Sequence, residues 1–197
     1  MDFLIATHNK GKRDEVERIL QPLGVRVLIA EEAGIDLREP EENGATFEEN
    51  AMIKALSGLA DSGMPCIADD SGLVVDALDG RPGIYTARYG GEAMSYPDKI
   101  QKLLAELDGV PDARRTARFV SAVACAFPDG RQFTVRGACE GVIGHVPYGA
   151  GGFGFDPIFY YNGKSFAAMA PSEKDAVSHR GNSLRLLNEK LKDYLDK

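Results

Sequence analysis

The chain has 197 residues, a formal net charge of −7, 44% hydrophobic and 27% charged residues. That length can bury roughly 70% of its unfolded surface, so disorder is excluded and neither disulfides nor a structural metal is needed for a core. The acid excess argues against a sequence-independent nucleic-acid binder, and no apolar run approaches the ~20 residues of a membrane span, so neither partner is expected.

Residues 2–6 predict a first strand, stopped by Thr7-His8-Asn9. The segment from Met1 to Ala6 is short and lacks a cationic lead, so it does not read as a secretory leader. A helix over 11–22 follows from Val16, Ile19, Leu20 and Leu23, with Pro22 and Gly24 ending it. Residues 25–29 form a second strand. An acidic stretch follows, with eight acids between 31 and 50 and one base, Arg38. It reads either as a solvated loop or as a carboxylate source for a hard divalent cation. Thr46 and Glu49 form a capping box for a helix over 47–61. That helix is expected to bury Met52, Ala55, Leu56 and Leu59, with Asn50 and Lys54 on another face.

A short strand over 65–68 runs into Asp69-Asp70-Ser71-Gly72, and strand resumes from Leu73 to Ala77. After a glycine-rich loop, a helix is expected at 95–107. Strands over 114–127 and 131–144 flank Pro128-Asp129-Gly130, a hairpin turn. One last helix spans 173–195, with Leu184, Leu187, Leu191 and Tyr194/Leu195 on its apolar side. Early alternation of strands and helices with a late hairpin gives an α/β class with a mixed, twisted sheet and flanking helices. A single domain over 1–197 is expected, with two lobes around a central cleft lined by 7–12, 69–71 and 151–156. The three scattered cysteines, Cys66, Cys125 and Cys139, read as reduced core thiols, which suits a cytoplasmic protein.

Four motifs can carry chemistry. Thr7-His8-Asn9-Lys10-Gly11-Lys12 lies between a strand and a helix N-terminus, where free N–H groups and lysines suit phosphate. The same residues would also serve as a helix cap with surface lysines. Asp69-Asp70 pairs two carboxylates whose side chains point opposite ways along an extended chain. Mutual repulsion there calls for a compensating cation or donor, although an Asx turn is the plainer reading. Gly149 to Pro157 presents Phe153 and Phe155 among glycines, either as a platform for a flat ligand or as a turn with core aromatics. Lys174 and Ser178-His179-Arg180-Gly181 gather cations within two helical turns, either for a ligand or as a basic helix face.

Taken together and in order, these motifs resemble the inosine triphosphate pyrophosphatase family, which removes non-canonical purine nucleoside triphosphates. The resemblance covers essentially the whole chain: Thr7, Asn9 and Lys12; Thr46 to Ala55; Ala68 to Leu73; Pro82 to Tyr89; Gly151 to Phe159; Ser178 to Gly181. His8 and Ser183 depart from the residues frequent there. The resemblance implies Mg²⁺-dependent hydrolysis of ITP, dITP or XTP to the monophosphate and pyrophosphate, by a homodimer. It implies that Thr7, His8, Asn9, Lys10, Gly11 and Lys12 bind the triphosphate and that Lys54 adds a phosphate contact. Asp70 matches the catalytic base and a metal ligand, Glu42 (or its neighbour Glu41) a second metal carboxylate, and Asp69 a supporting acid. Ser71, Phe153, Gly154, Phe155, Asp156, Lys174, His179 and Arg180 match substrate-binding positions. Donors around His179-Arg180 are expected to read the purine C6 oxygen while Phe153 stacks on the ring. The alternative is a related pyrophosphatase for modified pyrimidine nucleotides, against which the strings at 151–159 and 178–181 weigh.

Overall fold

Strand β1, Asp2–Ile5, is short and apolar, with Phe3, Leu4 and Ile5 buried. The computed structural model describes residues 2–195 without the Leu195 side chain, so the expectations for Met1 and for Leu195's packing lie outside the described residues. Helix α1, Lys10–Leu20, starts at Asn9, whose side chain accepts from the Lys12 N–H, and Pro22 and Gly24 end it in a tight turn. Strand β2 is Arg26–Ile29. A single helical turn, α2, Ala30–Ala33, interrupts the acidic stretch; the sequence reading missed it, because four residues carry no periodicity. Helix α3 is Phe47–Ser62. Its Thr46 cap accepts from the Glu49 N–H, but the Glu49 carboxylate accepts from Ala45 rather than Thr46.

Strand β3 is one unbroken element, Cys66–Val75. Helix α4, Tyr96–Glu106, is capped by Ser95, and strands β4, Thr116–Ala126, and β5, Gln132–Ile143, flank the expected turn. Strands β6, Phe159–Tyr161, and β7, Lys164–Ser165, were not expected; they are too short for an alternating pattern. The last helix divides into α5, Pro171–Val177, and α6, His179–Leu195. Ser178 between them is extended (φ −69°, ψ 157°). Serine favours such breaks because its hydroxyl competes for local backbone groups.

The sheet is mixed, with seven strands in the order β2-β1-β3-β4-β5-β6-β7. β1 lies parallel to β2 and β3, whereas β5, β6 and β7 run antiparallel. The chain forms two compact units interleaved in sequence. The first comprises Met1–Asp70, Ser121–Gly137 and His179–Lys197. Its core sets Phe3, Ile5, Val16, Leu20 and Ile67 with Phe127, Leu184, Leu187 and Leu191, and a second group joins Leu4, Leu37 and Cys66. The second comprises Ser71–Val120 and Ala138–Ser178, built on Leu73, Leu103, Phe119, Phe155, Ile158, Phe159 and Phe166. All three cysteines are free and buried, and burial pushes the thiol of Cys66 up to about 12 and that of Cys139 to about 11.

Helix α3 corrects the sequence reading of its faces. Its buried residues are Phe47, Asn50, Ala51, Ala55 and Gly58, whereas Leu56 is 43% exposed and Met52 and Leu59 only half-buried. Small residues win the inner face because the helix approaches Ala6 and Cys66 closely at Gly58. That approach brings Asn50 and Lys54 within reach of β3.

Candidate active site

In the first unit, Asp69 and Asp70 lie within β3 rather than at a strand end, because the ladder continues through them to Val75. Strand alternation sends the two carboxylates to opposite sides. Both are 6% exposed, so neither stands open to solvent. Asp69 meets Lys12 of α1 at 3.1 Å and Arg180 of α6 at 2.9 Å. Asp70 meets Lys54 of α3 at 3.0 Å and the Asn50 amide at 3.4 Å.

The two acids titrate in opposite directions. Burial alone would raise Asp69, but Lys12, Arg180 and Lys54 overcome it and hold the carboxyl well below the usual range. For Asp70 burial prevails over Lys54 and Lys12, and its pKa is raised. Burial lowers the Lys12 ammonium, while the surrounding carboxylates Asp70, Asp69 and Glu42 outweigh burial and raise Lys54. Adjacent acids with divergent affinities for the proton are how one site holds a fixed charge beside a proton acceptor.

Arg180 is fully buried and is bound to Glu15 as well as Asp69. This corrects the expectation that Lys174 and Arg180 share one helix: the chain breaks at Ser178, and the Arg180 guanidinium is bound by the carboxylates of Glu15 and Asp69. His179 is also buried, at 4% exposure. Glu15 was missed. Its place three residues after Lys12 and four before Ile19, on the inner face of α1, was the available signal.

The opening motif is half in the helix. Thr7 Oγ1 accepts from the Asn9 N–H at 3.2 Å, and Asn9 caps Lys12 at 3.0 Å. Lys10, Gly11 and Lys12 form the first turn of α1, with Lys10 exposed and His8 4.0 Å from Glu39. Lys12 therefore turns back to Asp69 from a helix N-terminus that favours anions.

Glu42 lies 3.3 Å from Lys54, whose ammonium also holds Asp70, whereas Glu41 is exposed. Among the described residues no three His, Cys, Asp or Glu side chains gather as a metal cage. A carboxylate pair still fits Mg²⁺, which commonly takes one or two protein carboxylates and completes its shell with phosphate and water oxygens. The Lys54 ammonium between Glu42 and Asp70 shows that the pair accommodates a positive charge.

In the second unit, Phe153 to Asp156 wind about one carboxylate. Asp156, 2% exposed, accepts from the Phe153 N–H at 2.8 Å and from Lys174 at 2.5 Å. Gly152 has φ +68°, and a Cβ there would strike the Asp156 carboxylate. The Lys174 ammonium lies 4.8 Å from the centre of the Phe153 ring. Phe155 points into the core against Tyr89 and Tyr96, so only Phe153, half-buried, suits a platform. Gly154 adjoins Tyr96, and Ser71 continues β3, half-buried.

The Ham1 family model matches residues 3–190. A dITP/XTP pyrophosphatase from Geobacter sulfurreducens is 47% identical over 191 residues, covering 96% of each chain. One from Thermus thermophilus is 46% identical over 195 residues, covering 98% of this chain and 93% of its own. A HAM1 protein from Coxiella burnetii superposes with a TM-score of 0.86 at 35% identity, covering 98% of this chain and 99% of its own. The Staphylococcus aureus Ham1 protein gives 0.85 at 37% identity, covering 98% and 100%. With a family match across nearly its whole length and relatives this similar, the chain belongs to the Ham1 family.

Proposed function

We propose that this chain hydrolyses non-canonical purine nucleoside triphosphates (ITP, dITP and XTP) to the monophosphate and pyrophosphate, clearing them from the nucleotide pool. The names of its relatives support the substrate class. The observation that carries the chemistry is the divergence of Asp69 and Asp70 on opposite sides of β3.

Asp70 is the general base. Its raised proton affinity equips it to take a proton from the attacking water, and Oδ2, held by the long Asn50 bond, is the oxygen we assign to receive it. Asp69 stays ionised and fixes Lys12 at the start of α1. Lys12, Lys54 and the α1 N-terminus with Thr7 to Gly11 are the phosphate-directed groups. Glu42 and Asp70 would hold Mg²⁺, which when bound supplies charge for the phosphates and acidifies water. Lys54 spans the same two acids and shares that charge balance. Phe153 and Lys174, locked by Asp156, are the base-directed groups, a ring to stack on a purine and an ammonium to donate to an oxygen. Ser71 and His179 belong to the same substrate-directed set by family resemblance.

Cytoplasmic location and a homodimer are part of the proposal; sedimentation of the purified protein checks the latter. Among the described residues no helix is long and apolar enough to cross a membrane. The activity test is pyrophosphate release from ITP, dITP, XTP and ATP, with Mg²⁺ and with EDTA. Rapid release from the first three with Mg²⁺ alone is expected; equal rates on ATP, or undiminished rates in EDTA, would overturn the reading.

A further inference from the structure

We infer that Asn50 is a positioning residue of this reaction: it locks the segment carrying Glu42 to the Asp70 carboxylate and so sets the separation of the two acids. The inference rests on the reading above, in which Glu42 and Asp70 act together.

Asn50 is completely buried on the inner face of α3, among Ala51, Ala55 and Gly58. A buried amide costs desolvation unless both ends are bonded, so an apolar residue would be the cheaper choice for packing alone. Both ends are bonded here, to different segments. Oδ1 accepts from the Gly44 N–H at 2.8 Å, and Nδ2 donates to Asp70 Oδ2 at 3.4 Å. A neutral amide can do both at once; a carboxylate has no proton for Asp70, and an aliphatic chain has neither group.

Gly44 comes two residues after Glu42. A Cβ on Gly44 would lie 2.6 Å from Asn50 Oδ1, so the backbone approaches the amide too closely for a side chain. On the other side of Glu42, α3 holds the same segment again. Asp61 accepts from the Arg38 backbone N–H at 3.0 Å and from its Nε at 2.5 Å, and Leu37 is buried. Between Arg38 and Gly44 the chain has no regular structure and carries Glu39, Glu41 and Glu42, which repel one another. These two tethers flank Glu42, whose carboxylate also meets Lys54 at 3.3 Å, and of the two the Asn50 tether also reaches Asp70. Sequence spacing hid this role because an asparagine inside a helix reads as a surface residue.

Two variants test it. Asn50→Asp keeps the acceptor for Gly44 but loses the donor to Asp70. Asn50→Leu loses both. Hydrogen exchange at the Gly44 amide, followed by NMR without metal or nucleotide, reads the tether independently of activity. The expected results are slow Gly44 exchange in wild type and Asn50→Asp, and exchange about tenfold faster or more in Asn50→Leu, with strand β3 still protected. In both variants kcat falls about 10- to 100-fold, the range for partners that orient metal and catalytic ligands, with KM for ITP little changed. The Mg²⁺ concentration for half-maximal rate rises most in Asn50→Leu. Unchanged Gly44 exchange in Asn50→Leu overturns the inference, as does a fall in activity that merely follows loss of protection throughout the first unit. Should Asn50→Leu not fold, Asn50→Asp decides alone: wild-type kcat would overturn the inference. If wild type released no pyrophosphate from any purine nucleotide, the functional reading would fall while the exchange arm still judged the tether.

Discussion

Asp69 and Asp156 are both buried carboxylates facing buried cations, yet the two regions they organise are built differently. In the second unit the Asp156 carboxylate accepts from Lys174 and from the Phe153 N–H. In the first unit four carboxylates, Glu15, Glu42, Asp69 and Asp70, face three cations, Lys12, Lys54 and Arg180. On the proposed reading, that ion pair with the Phe153 ring beside it is a platform for an uncharged base. On the same reading, a carboxylate-rich cluster that takes up a divalent ion gains positive charge, which suits a polyanionic substrate. So read, the comparison teaches that the number of carboxylates sharing the cations, rather than burial, distinguishes the phosphate-directed region from the base-directed one.

The largest break in that comparison comes from Asp70→Asn. Loss of the base and of a cation ligand together is expected to lower kcat by roughly 10³ or more, measured as pyrophosphate release. A companion variant sharpens the point. Lys54 draws the Asp70 pKa down, so in Lys54→Gln the Asp70 pKa rises further. The acidic limb of kcat/KM should then move to higher pH, because the base must be ionised to act.

Arg180→Ala comes next. It leaves Glu15 and Asp69 buried beside each other without their guanidinium, a change that typically costs about 3–5 kcal/mol. Thermal unfolding should show the loss, and ITP and ATP turnover should fall alike. A narrowed ITP/ATP ratio with unchanged stability would make Arg180 a base reader after all.

Lys12→Ala is expected to weaken triphosphate binding about 10- to 150-fold, the range for one charge-assisted bond, with little effect on IMP. Titration calorimetry with both nucleotides reads the difference. The smallest effect should be in the second unit. Phe153→Ala removes a stacking face worth about 1–3 kcal/mol, so KM for every purine nucleotide should rise while kcat holds. Together these variants ask whether the phosphate-directed and base-directed regions separate as kcat against KM.

Much of this was legible in the sequence, for identifiable reasons. Val16, Leu20, Leu184, Leu187 and Leu191 repeat at helical spacing and are buried as that spacing demands. The strand-then-helix start put Lys12 in the first turn of α1, where it lies, whereas of the Asp69-Asp70 pair, expected to send one carboxylate inward and one into a cleft, both are buried. Contacts between segments distant in the chain were not legible. Arg180 meets Glu15 165 residues away, and nothing local announces that a basic residue will enter the core. By hydrophobicity Leu56 and Met52 belong on the inner face of α3, yet Leu56 is 43% exposed and Met52 half-buried. The close approach required of that helix instead selected Ala51, Ala55 and Gly58.

The central claim is that neighbouring acids on one strand have been driven to opposite roles. Asp69, with its pKa depressed on folding, contributes stability in full above the ordinary carboxylate range and loses it progressively as pH falls from that range to below the depressed value. Asp70, with its pKa raised, costs stability once it ionises. Thermal unfolding of Asp69→Asn and Asp70→Asn side by side at pH 7, without metal or nucleotide, tests this directly. The account predicts that Asp69→Asn melts below wild type while Asp70→Asn, inactive, melts at or above it. Equal losses in the two variants, or the reverse order, would contradict it.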